Sequence, residues 1–304
     1  MRVFVTGGTG AVGSHAVPAL IRAGHSVTAL ARYPEKAATL RGQGATPVRV
    51  SLFDRAALAR EFAGHDAVVN LATALPSMAQ FLRAKAWRAN DRIRTEGSAT
   101  VVDAALDAGV GRVLQESVSM VYPDRGAEWI DETVPPDPFP IARGNLAAEA
   151  SANRFTEAGG VGVVLRFGWF YGPGATHSEQ LLALARRHIG TAIGPPDSYT
   201  PTIHMADAGE AVVHALDVNA GTVNIVDDDP LTTRDFADAL EAAAGTRAWL
   251  RVPGRAALLF GDRLTSLTRS LRVSNARFRD ATGWAPRYPS AREGWAATAT
   301  ALRR

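Results

Sequence analysis

The stretch TGGTGAVGSH, residues 6–15, constrains this chain more than any other segment. It follows the apolar run VFVT directly and opens an amphipathic segment, which predicts a strand, a tight turn and a helix start. Gly7 permits the turn, Gly10 lets backbone N–H groups approach a pyrophosphate, and Gly13 permits close helix–strand packing. The helix N-terminus favours such an anion. The alternative is a turn whose glycines serve packing alone.

The rest of the chain repeats this alternation of short apolar runs and helical patterns. The runs are VFVT from residue 3, SVTALA from 26, TPVRV from 46, DAVVNLA from 66, RVLQES from 112 and VGVVLRF from 161. Runs of this length, bounded by amphipathic segments, indicate buried parallel strands. The segment RTEGSATVVDAALDAG ends at Gly109, as a helix C-cap does. The pattern predicts an α/β fold, the doubly wound parallel sheet of the Rossmann type.

A change of rhythm after residue 168 predicts the domain organisation. Residues 1–168 are expected to form a dinucleotide-binding domain, which the strand-like segment within 203–227 rejoins. Residues 169–202 and 228–304, rich in loops, are expected to form a substrate-binding region. The acidic run at 227–229 precedes Pro230 and is predicted to be a solvated turn rather than a metal site.

The end of the second strand indicates which dinucleotide binds. SVTALAR ends at Arg32, and no carboxylate follows before Glu35. An acidic residue here would hydrogen-bond the 2′-hydroxyl of NAD, whereas an arginine pairs with a 2′-phosphate. NADP(H) is therefore the predicted cofactor. The alternative is a solvated surface arginine.

Further residues are predicted to contact the cofactor. Asp54 follows the third strand and is placed either to accept from the adenine amino group or to cap the helix DRAALAREF. Small residues after the fourth strand leave room for the ribose and the pyrophosphate. The other predicted contacts are Thr9, Ala11, Val12, Leu71, Ala72 and Thr73.

Composition excludes several function classes. The chain of 304 residues is 46% hydrophobic and 21% charged, which is ordinary for a globular protein. The absence of cysteine excludes disulfides, thiolate catalysis and cysteine-ligated metals. Because its basic residues form no long cluster and no uncharged apolar run reaches membrane length, neither nucleic acid nor membrane is an expected partner. A cytoplasmic protein with a small-molecule substrate is expected, with a homodimer as a possible assembly.

In its order of motifs the chain resembles the extended short-chain dehydrogenases/reductases, a superfamily of sugar-nucleotide epimerases, dehydratases and related oxidoreductases. Beyond the glycine turn, the matching stretches are NLATALP, ESVSMVYP, LRFGWFYGPG, PTIHMADAGEAV and TGWAPRYPSAREGW. Together they extend over nearly the whole length. The resemblance is specific for the fold and does not specify the reaction.

The resemblance also places the family's acid/base groups on residues of other types. In the family, a Tyr and a Lys four residues later act with a Ser or Thr and an Asn to move the proton that accompanies hydride transfer. The Tyr, Lys, Ser/Thr and Asn positions fall on Ile141, Asn145, Val118 and Arg94. No tyrosine lies between Tyr122 and Tyr171, and no lysine follows Lys85. Asn145 retains the ability to hydrogen-bond the nicotinamide ribose.

Other side chains are candidates for the missing proton donor. Ser119 and Tyr122 follow the fifth strand, at the edge where ligands bind in such sheets, although the family's tyrosine at this turn usually packs. His177 begins a helix and titrates near neutral pH, or it is an exposed histidine without a role. Glu116 offers a carboxylate if its side chain turns towards the cofactor.

Aromatic residues indicate the character of the substrate. Trp169, with Phe167 and Phe170, predicts an apolar wall suited to a planar or hydrophobic ligand, unless these rings fill the core. His204 stands where relatives carry a structural histidine. Three hypotheses remain open: an atypical NADP(H)-dependent oxidoreductase or isomerase of a small, fairly apolar metabolite such as a quinone-like acceptor; a non-catalytic NADP(H) sensor; and a non-redox isomerase, cyclase or lyase.

Overall fold

The computed structural model describes residues 1–76, 80, 83–137, 139–190, 192, 194–249 and 265–302, without the side chains of Ala84, Ile141, Thr176, Ser266 and Leu267. The chain divides into two compact units. The first comprises Met1–Ser117, Ile141–Arg166 and Ala208–Val223, and the second comprises Val118–Pro140, Phe167–Asp207 and Asn224–Arg304.

The described strands and helices alternate along the first half of the chain. The strands are β1 (Arg2–Thr6), β2 (Ser26–Leu30), β3 (Thr46–Val48), β4 (Ala67–Asn70), β5 (Arg112–Val118), β6 (Trp129–Ile130), β7 (Val161–Phe167), β8 (Trp169–Tyr171), β9 (Tyr199–Thr200), β10 (Thr202–His204), β11 (Gly221–Ile225), β12 (Leu231–Thr232) and β13 (Arg272–Val273). The helices are α1 (Gly13–Arg22), α2 (Pro34–Gly42), α3 (Arg55–Phe62), α4 (Arg88–Arg92), α5 (Ser98–Asp107), α6 (Arg143–Glu157), α7 (Thr176–Arg186), α8 (Met205–His214), α9 (Thr233–Ala244), α10 (Thr265–Thr268), α11 (Ala276–Thr282) and α12 (Ala291–Ala301).

A seven-stranded sheet with the order β11-β7-β5-β4-β1-β2-β3 forms the centre of the fold. Strand β1 pairs in parallel with β2 on one side and β4 on the other. The chain therefore changes direction of winding beside β1, and in such sheets the ligand lies at this point. The predicted doubly wound α/β fold is confirmed, and β11 pairs with β7 at one edge of this sheet.

The core of the first unit explains why these segments form strands. Val3, Phe4 and Val5 are fully buried, as expected of a parallel strand covered on both faces. The Phe4 ring packs edge-on against Phe62 of α3, with centroids 4.7 Å apart. Burial of each such aromatic side chain contributes about 1.5–3 kcal/mol.

A long helical segment with one irregular turn crosses the first unit. Helix α4 continues through a π-helical turn at Ile93–Gly97 into α5. Such turns displace side chains from the regular helical positions and are frequent at functional sites. The segment ends as predicted, because Gly109 adopts a φ of +67°, a left-handed conformation that glycine adopts at little cost.

The second unit is held by an aromatic cluster and by buried polar groups. The Tyr171 ring packs against Trp295 of α12, with centroids 5.4 Å apart. Asp227 is only 2% exposed, and its Oδ2 accepts a hydrogen bond of 2.7 Å from the Thr202 hydroxyl. The prediction that residues 227–229 form a solvated turn is therefore wrong for Asp227, although Asp229 is exposed. Contacts with Tyr171 of β8 and Thr202 of β10 bury the carboxyl group of Asp227.

The boundaries of the two units differ from those of the predicted domains in several segments. Residues 167–168, 203–207 and 224–227, which were predicted to lie in or to rejoin the dinucleotide-binding domain, belong to the second unit. So do residues 118–140. Hydrogen bonds within that unit hold them: the Tyr122 hydroxyl donates to Asn224 Oδ1 at 2.9 Å, and the Arg125 amide donates to the Ser270 carbonyl at 3.1 Å. These partners are distant in sequence, so local patterning gives no sign of them.

Candidate functional site

A cavity of about 630 Å³ lies at the carboxyl ends of the strands of the first unit. This volume falls within the range of small-ligand and cofactor pockets. The cavity is lined by Thr6, Gly7, Thr9, Gly10, Leu30, Arg32, Tyr33, Lys36, Arg49, Val50, Ser51, Leu52, Phe53, Leu71, Ala72, Thr73 and Ile93. Seven of the predicted cofactor-contacting residues are in this set: Gly7, Thr9, Gly10, Arg32, Leu71, Ala72 and Thr73.

The glycine turn has the close packing that its sequence implies. Gly7 adopts a φ of +69°, and a Cβ there would lie 2.3 Å from the Leu71 carbonyl oxygen. A Cβ at Gly13 would lie 2.2 Å from the Gly7 carbonyl oxygen, so both glycines are sterically required. Gly10 is different, because a Cβ there would meet only the Gly7 oxygen, at 3.1 Å. Its lack of a side chain leaves room on the cavity side for a phosphate.

Ala11 and Val12 connect this turn to α1. Val12 is buried at the N-cap position of the helix, whereas Ala11 is exposed and its carbonyl accepts from the Ser14 hydroxyl at 2.9 Å. Neither residue lines the cavity. Both hold the helix N-terminus beside the glycine turn.

Three cations line the cavity. Arg32 follows β2, Arg49 follows β3, and Lys36 lies in the first turn of α2. The β2–β3 register aligns Leu30 with Val48, so Arg32 and Arg49 leave neighbouring strand ends. Among the described residues, none of the three forms an ion pair and no aspartate or glutamate lines the cavity. The lining around these cations therefore suits a doubly charged anion.

Asp54 and Asn145 lie outside the lining of this cavity. Asp54 is the N-cap of α3, and its Oδ1 accepts from the Ala57 amide at 3.0 Å. The capping alternative raised by the sequence is thus the one that the structure shows. Asn145 is buried in the first turn of α6, with 7% of its surface exposed. Ile141 precedes that helix, in a 3₁₀ turn at Pro140–Ala142.

A buried hydrogen-bond network lies beneath the cavity. The Thr6 hydroxyl donates to Asn70 Oδ1 at 2.5 Å, and Asn70 Nδ2 donates to Gln115 Oε1 at 2.7 Å. Gln115 Nε2 donates in turn to the Glu116 carbonyl at 2.9 Å. The network joins the last residues of β1 and β4, from which cavity-lining loops leave the sheet, to the middle of β5. A satisfied network of this kind gives the loops one defined arrangement.

Glu116 does not turn its carboxylate towards the cavity. It is 5% exposed, and its Oε1 accepts from Arg94 Nη2 at 3.0 Å. Burial raises the pKa of Glu116, and the Arg94 guanidinium opposes that rise. Ser117, the next residue, donates to Glu149 Oε1 at 2.6 Å, and Arg166 holds that carboxylate through both of its oxygens.

The proposed proton donors of the second unit are engaged in its packing. Tyr122 is fully buried, and its hydroxyl donates to Asn224. Ser119 is buried in a 3₁₀ turn, with its Oγ 3.8 Å from Met120 Sδ. Val118, at the end of β5, is half-buried. These contacts give Tyr122 and Ser119 structural roles. A catalytic role for either residue stays a prediction.

His177 and the aromatic residues of β7 and β8 also lie in the second unit. His177 is half-buried, and its Nε2 bonds the Phe170 carbonyl at 2.5 Å. Phe167 and Phe170 have ring centroids 5.4 Å apart, and Trp169 is half-buried. His204 is buried with its ring 4.3 Å from that of Tyr288, in agreement with a structural role.

Sequence reasoning missed several residues of the cavity: Tyr33, Lys36, Arg49, Ser51 and Phe53. One signal was available for Arg49 and Ser51, since both follow a predicted strand, and parallel strands end at one edge of a sheet. Lys36 and Tyr33 carried no such signal, because the geometry of α2 brings them to the cavity.

Two negative findings apply to the described ranges. They contain no group of three or more His, Asp or Glu side chains arranged to hold a metal ion. No helix within them has the length and apolar character required to cross a bilayer.

Comparison with known proteins identifies the family. Residues 3–226 match the model of the NAD dependent epimerase/dehydratase family. A 3-diazoavenalumate denitrifying reductase from a Streptomyces species is 32% identical over 97% of this chain and 99% of its own length. A 4-hydroxy-2-methyl-3-oxo-4-farnesyl-3,4-dihydroquinoline-1-oxide ketoreductase from Stigmatella aurantiaca is 32% identical over 91% of this chain and 83% of its own.

Solved structures agree with this assignment. Human epimerase family protein SDR39U1 (isoform2) with NADPH has a TM-score of 0.79 and 25% identity, covering 99% of both chains. The Thermus thermophilus UDP-glucose 4-epimerase complex with NAD has a TM-score of 0.79 at 24% identity, covering 100% of this chain and 99% of that one, and shares the fold. The cavity and these relatives support a nicotinamide dinucleotide cofactor and an enzymatic role. The chain belongs to the NAD dependent epimerase/dehydratase family.

Proposed function

We propose that this protein is an NADP(H)-dependent reductase of a small, fairly apolar electrophile, acting without a Tyr–Lys acid/base pair. One observation carries the proposal. A cavity with an intact glycine turn and three cations is combined with Ile141 and Asn145 at the positions where the family resemblance places Tyr and Lys. The site keeps the means to bind a redox cofactor and lacks the usual means to move a proton.

The preference for NADP(H) rests on charge. Arg32, Lys36 and Arg49 line the cavity without carboxylate partners among the described residues. A 2′-phosphate placed there would receive charge-assisted hydrogen bonds, which are about twice as strong as neutral ones. The 2′-hydroxyl of NAD(H) would find no carboxylate acceptor in the described lining. The cavity therefore favours the phosphorylated dinucleotide.

The lack of an acid/base pair restricts the acceptor. When bound, the reduced cofactor supplies hydride. Asn145 offers amide hydrogen bonds for positioning but has no side-chain proton to give near neutral pH. Arg94, at the family's Asn position, is committed to Glu116. The acceptor must therefore be one whose reduction product is stable as an anion or decomposes, and the remaining proton comes from water.

The names of the relatives indicate acceptors of this type. One is a denitrifying reductase of a diazo compound, and the other is a ketoreductase of a 3-oxo quinoline oxide. Hydride addition to the terminal nitrogen of an arenediazonium ion gives a neutral diazene, which loses N₂ to leave the arene. That sequence balances charge without a proton from the protein. Conjugated carbonyls and quinones, which give stabilised anions, are the second class.

The test is NADPH consumption by the purified protein with an arenediazonium salt, a quinone and a simple ketone. We expect saturable consumption with the first two acceptors and negligible consumption with the ketone, because a missing general acid or base lowers rates about 10²- to 10⁴-fold. For the same reason, we expect negligible reduction of NADP by secondary alcohols and negligible conversion of UDP- or dTDP-sugars, followed by product analysis. The Gly10→Ala variant, in which a methyl group enters the cavity, corrects for direct chemical reduction. Fast oxidation of a secondary alcohol with NADP would overturn the proposed mechanism. Tight NADPH binding without turnover of any acceptor would instead favour a sensor.

A further inference from the structure

Among the described residues, the lining of the cavity contains no carboxylate that could accept a hydrogen bond from an adenine amino group. The sequence offered Asp54 for this purpose, but its carboxylate caps α3 through the Ala57 amide at 3.0 Å. Asp54 does not line the cavity, and no other aspartate or glutamate among the described residues does. Recognition of the base must therefore use other groups.

Apolar and aromatic side chains form this part of the lining. Leu52 and Phe53 follow β3, and Ile93 comes from the π-helical turn. Gly97 of the same turn allows close packing, since a Cβ there would lie 2.8 Å from Leu52 Cδ2 and 3.6 Å from the Phe53 ring. The irregular turn thus supplies one wall of the cavity and supports the residues of another.

The Phe53 ring is held in place although it is 38% exposed. The guanidinium carbon of Arg92 lies 4.2 Å from the ring centroid, and Arg92 Nε is itself bonded to Glu96 at 2.8 Å. A cation in this position is attracted to the ring face. The ring is therefore oriented before any ligand binds, which reduces the entropy cost of stacking.

Ser51 provides a hydroxyl next to Leu52 and Phe53 in the cavity lining. Its Oγ accepts from the Phe53 amide at 3.2 Å, which fixes the oxygen and leaves the hydroxyl hydrogen to donate. A donor matches the ring nitrogens of a purine, which are acceptors. The adenine amino group, a donor, finds no charged acceptor in the described lining.

We propose that Phe53, Leu52 and Ile93 hold the purine base by its faces, that Ser51 donates to a ring nitrogen, and that no carboxylate reads the exocyclic amino group. This inference rests on the proposed NADP(H) function. It predicts that the site accepts hypoxanthine in place of adenine, because the two bases share their stacking faces and an unprotonated imidazole nitrogen. Selectivity among dinucleotides then comes from the phosphates.

The test compares the dissociation constants of NADPH and reduced nicotinamide hypoxanthine dinucleotide phosphate, measured by calorimetry on the full chain. We expect the two constants to agree within about threefold, a difference of less than about 0.7 kcal/mol. A preference of tenfold or more for NADPH would overturn the inference and leave the proposed function intact. Failure of both dinucleotides to bind would overturn the proposed cofactor itself.

Two variants test which residues contact the purine base. Phe53→Ala should weaken both dinucleotides at least about fivefold, the lower end for loss of a base–aromatic stack, with circular dichroism to confirm folding. Asp54→Asn keeps a good N-cap and removes the carboxylate, so both constants should be unchanged. If Asp54→Asn selectively weakens NADPH, Asp54 reads the amino group and the inference is wrong. If Phe53→Ala folds and binds like the wild type, the stacking role is wrong.

Discussion

Arg94 and Glu116 form an ion pair inside the first unit, with Arg94 Nη2 3.0 Å from Glu116 Oε1 and the two side chains 2% and 6% exposed. Arg94 Nη1 also donates to the Glu116 carbonyl at 2.5 Å. A Cβ at Gly144 of α6 would lie 3.2 Å from Arg94 Cβ, so that helix packs closely on the pair. The position that the resemblance assigns to a catalytic Asn is thus a buried structural contact.

Breaking this pair should destabilise the protein strongly. Glu116→Gln leaves a guanidinium buried without its counter-charge, which costs about 3–5 kcal/mol. Arg94→Met combined with Glu116→Gln should recover part of the loss, because it removes the unpaired charge. Urea unfolding measures each change. The matched control is Glu96→Gln, which breaks the exposed Arg92–Glu96 pair and should cost less than about 1 kcal/mol. Equal losses for the two Glu→Gln variants would contradict the role of the buried pair.

Alanine substitutions at the three glycines of the turn should distinguish a loss of stability from a loss of NADPH affinity. Gly7→Ala and Gly13→Ala each place a methyl group within 2.3 Å of a backbone oxygen, so both should lower the free energy of unfolding by more than about 2 kcal/mol. Gly10→Ala meets only one oxygen, at 3.1 Å, and should remain within about 1 kcal/mol of wild type. Its affinity for NADPH should nevertheless fall at least about tenfold. Wild-type NADPH binding by Gly10→Ala would exclude the close phosphate approach.

Cofactor preference should depend on the cations of the cavity. Arg32→Ala and Arg49→Ala should each weaken NADPH by about 1.5–3 kcal/mol, roughly ten- to a hundredfold, and leave NADH unchanged. Lys36→Ala should have a smaller effect, since an ammonium does not form a bidentate contact. Arg41→Ala is the control, because Arg41 is exposed on the same helix as Lys36 and does not line the cavity. An unchanged ratio of the two dissociation constants in Arg32→Ala would refute the assignment.

Asp227 should make stability depend on pH. Its burial raises the pKa of the carboxyl well above the ordinary value, and the nearby Asp207 adds to the rise. The folded state therefore keeps a proton that the unfolded state loses near pH ~4, so stability falls as pH rises from about 4 towards the folded-state pKa. Asp227→Asn should flatten this dependence and raise stability at alkaline pH. Unfolding in urea at several pH values tests this, with the exposed neighbour Asp229→Asn as control. A slope equal to that of wild type in Asp227→Asn would contradict the prediction.

Restoring the family's pair tests the residue matching. Ile141→Tyr with Asn145→Lys places a phenol and an ammonium four residues apart, across the junction of the 3₁₀ turn and α6. The ammonium should lower the phenol pKa below about 10, its reference value. Ultraviolet titration of the double variant against Ile141→Tyr alone measures the difference. Identical titration curves would show that the two positions do not share a site.

Local patterns in the sequence were sufficient to predict the fold. All six apolar runs form strands in the structure. A strand of a parallel sheet is buried on both faces, so its residues are apolar without interruption, and this pattern is recognisable in the sequence. The roles of Gly7 and Gly13 were also predictable, since the strand–turn–helix geometry around them is local. The start of α6 is not evident from such patterns: Ile141 lies in a 3₁₀ turn, and the helix begins at Arg143.

The sequence by itself therefore determined the order of strands and helices, the glycine turn and the cation after β2. Only the tertiary structure decided the partners of three buried polar side chains: Glu116 contacts Arg94, Tyr122 contacts Asn224, and Asp227 contacts Thr202. It alone placed Arg49, Lys36 and Phe53 around the cavity. The reason is physical: hydrophobic periodicity acts over a few neighbouring residues, whereas a side chain's partner is set by segments that meet only when the chain folds.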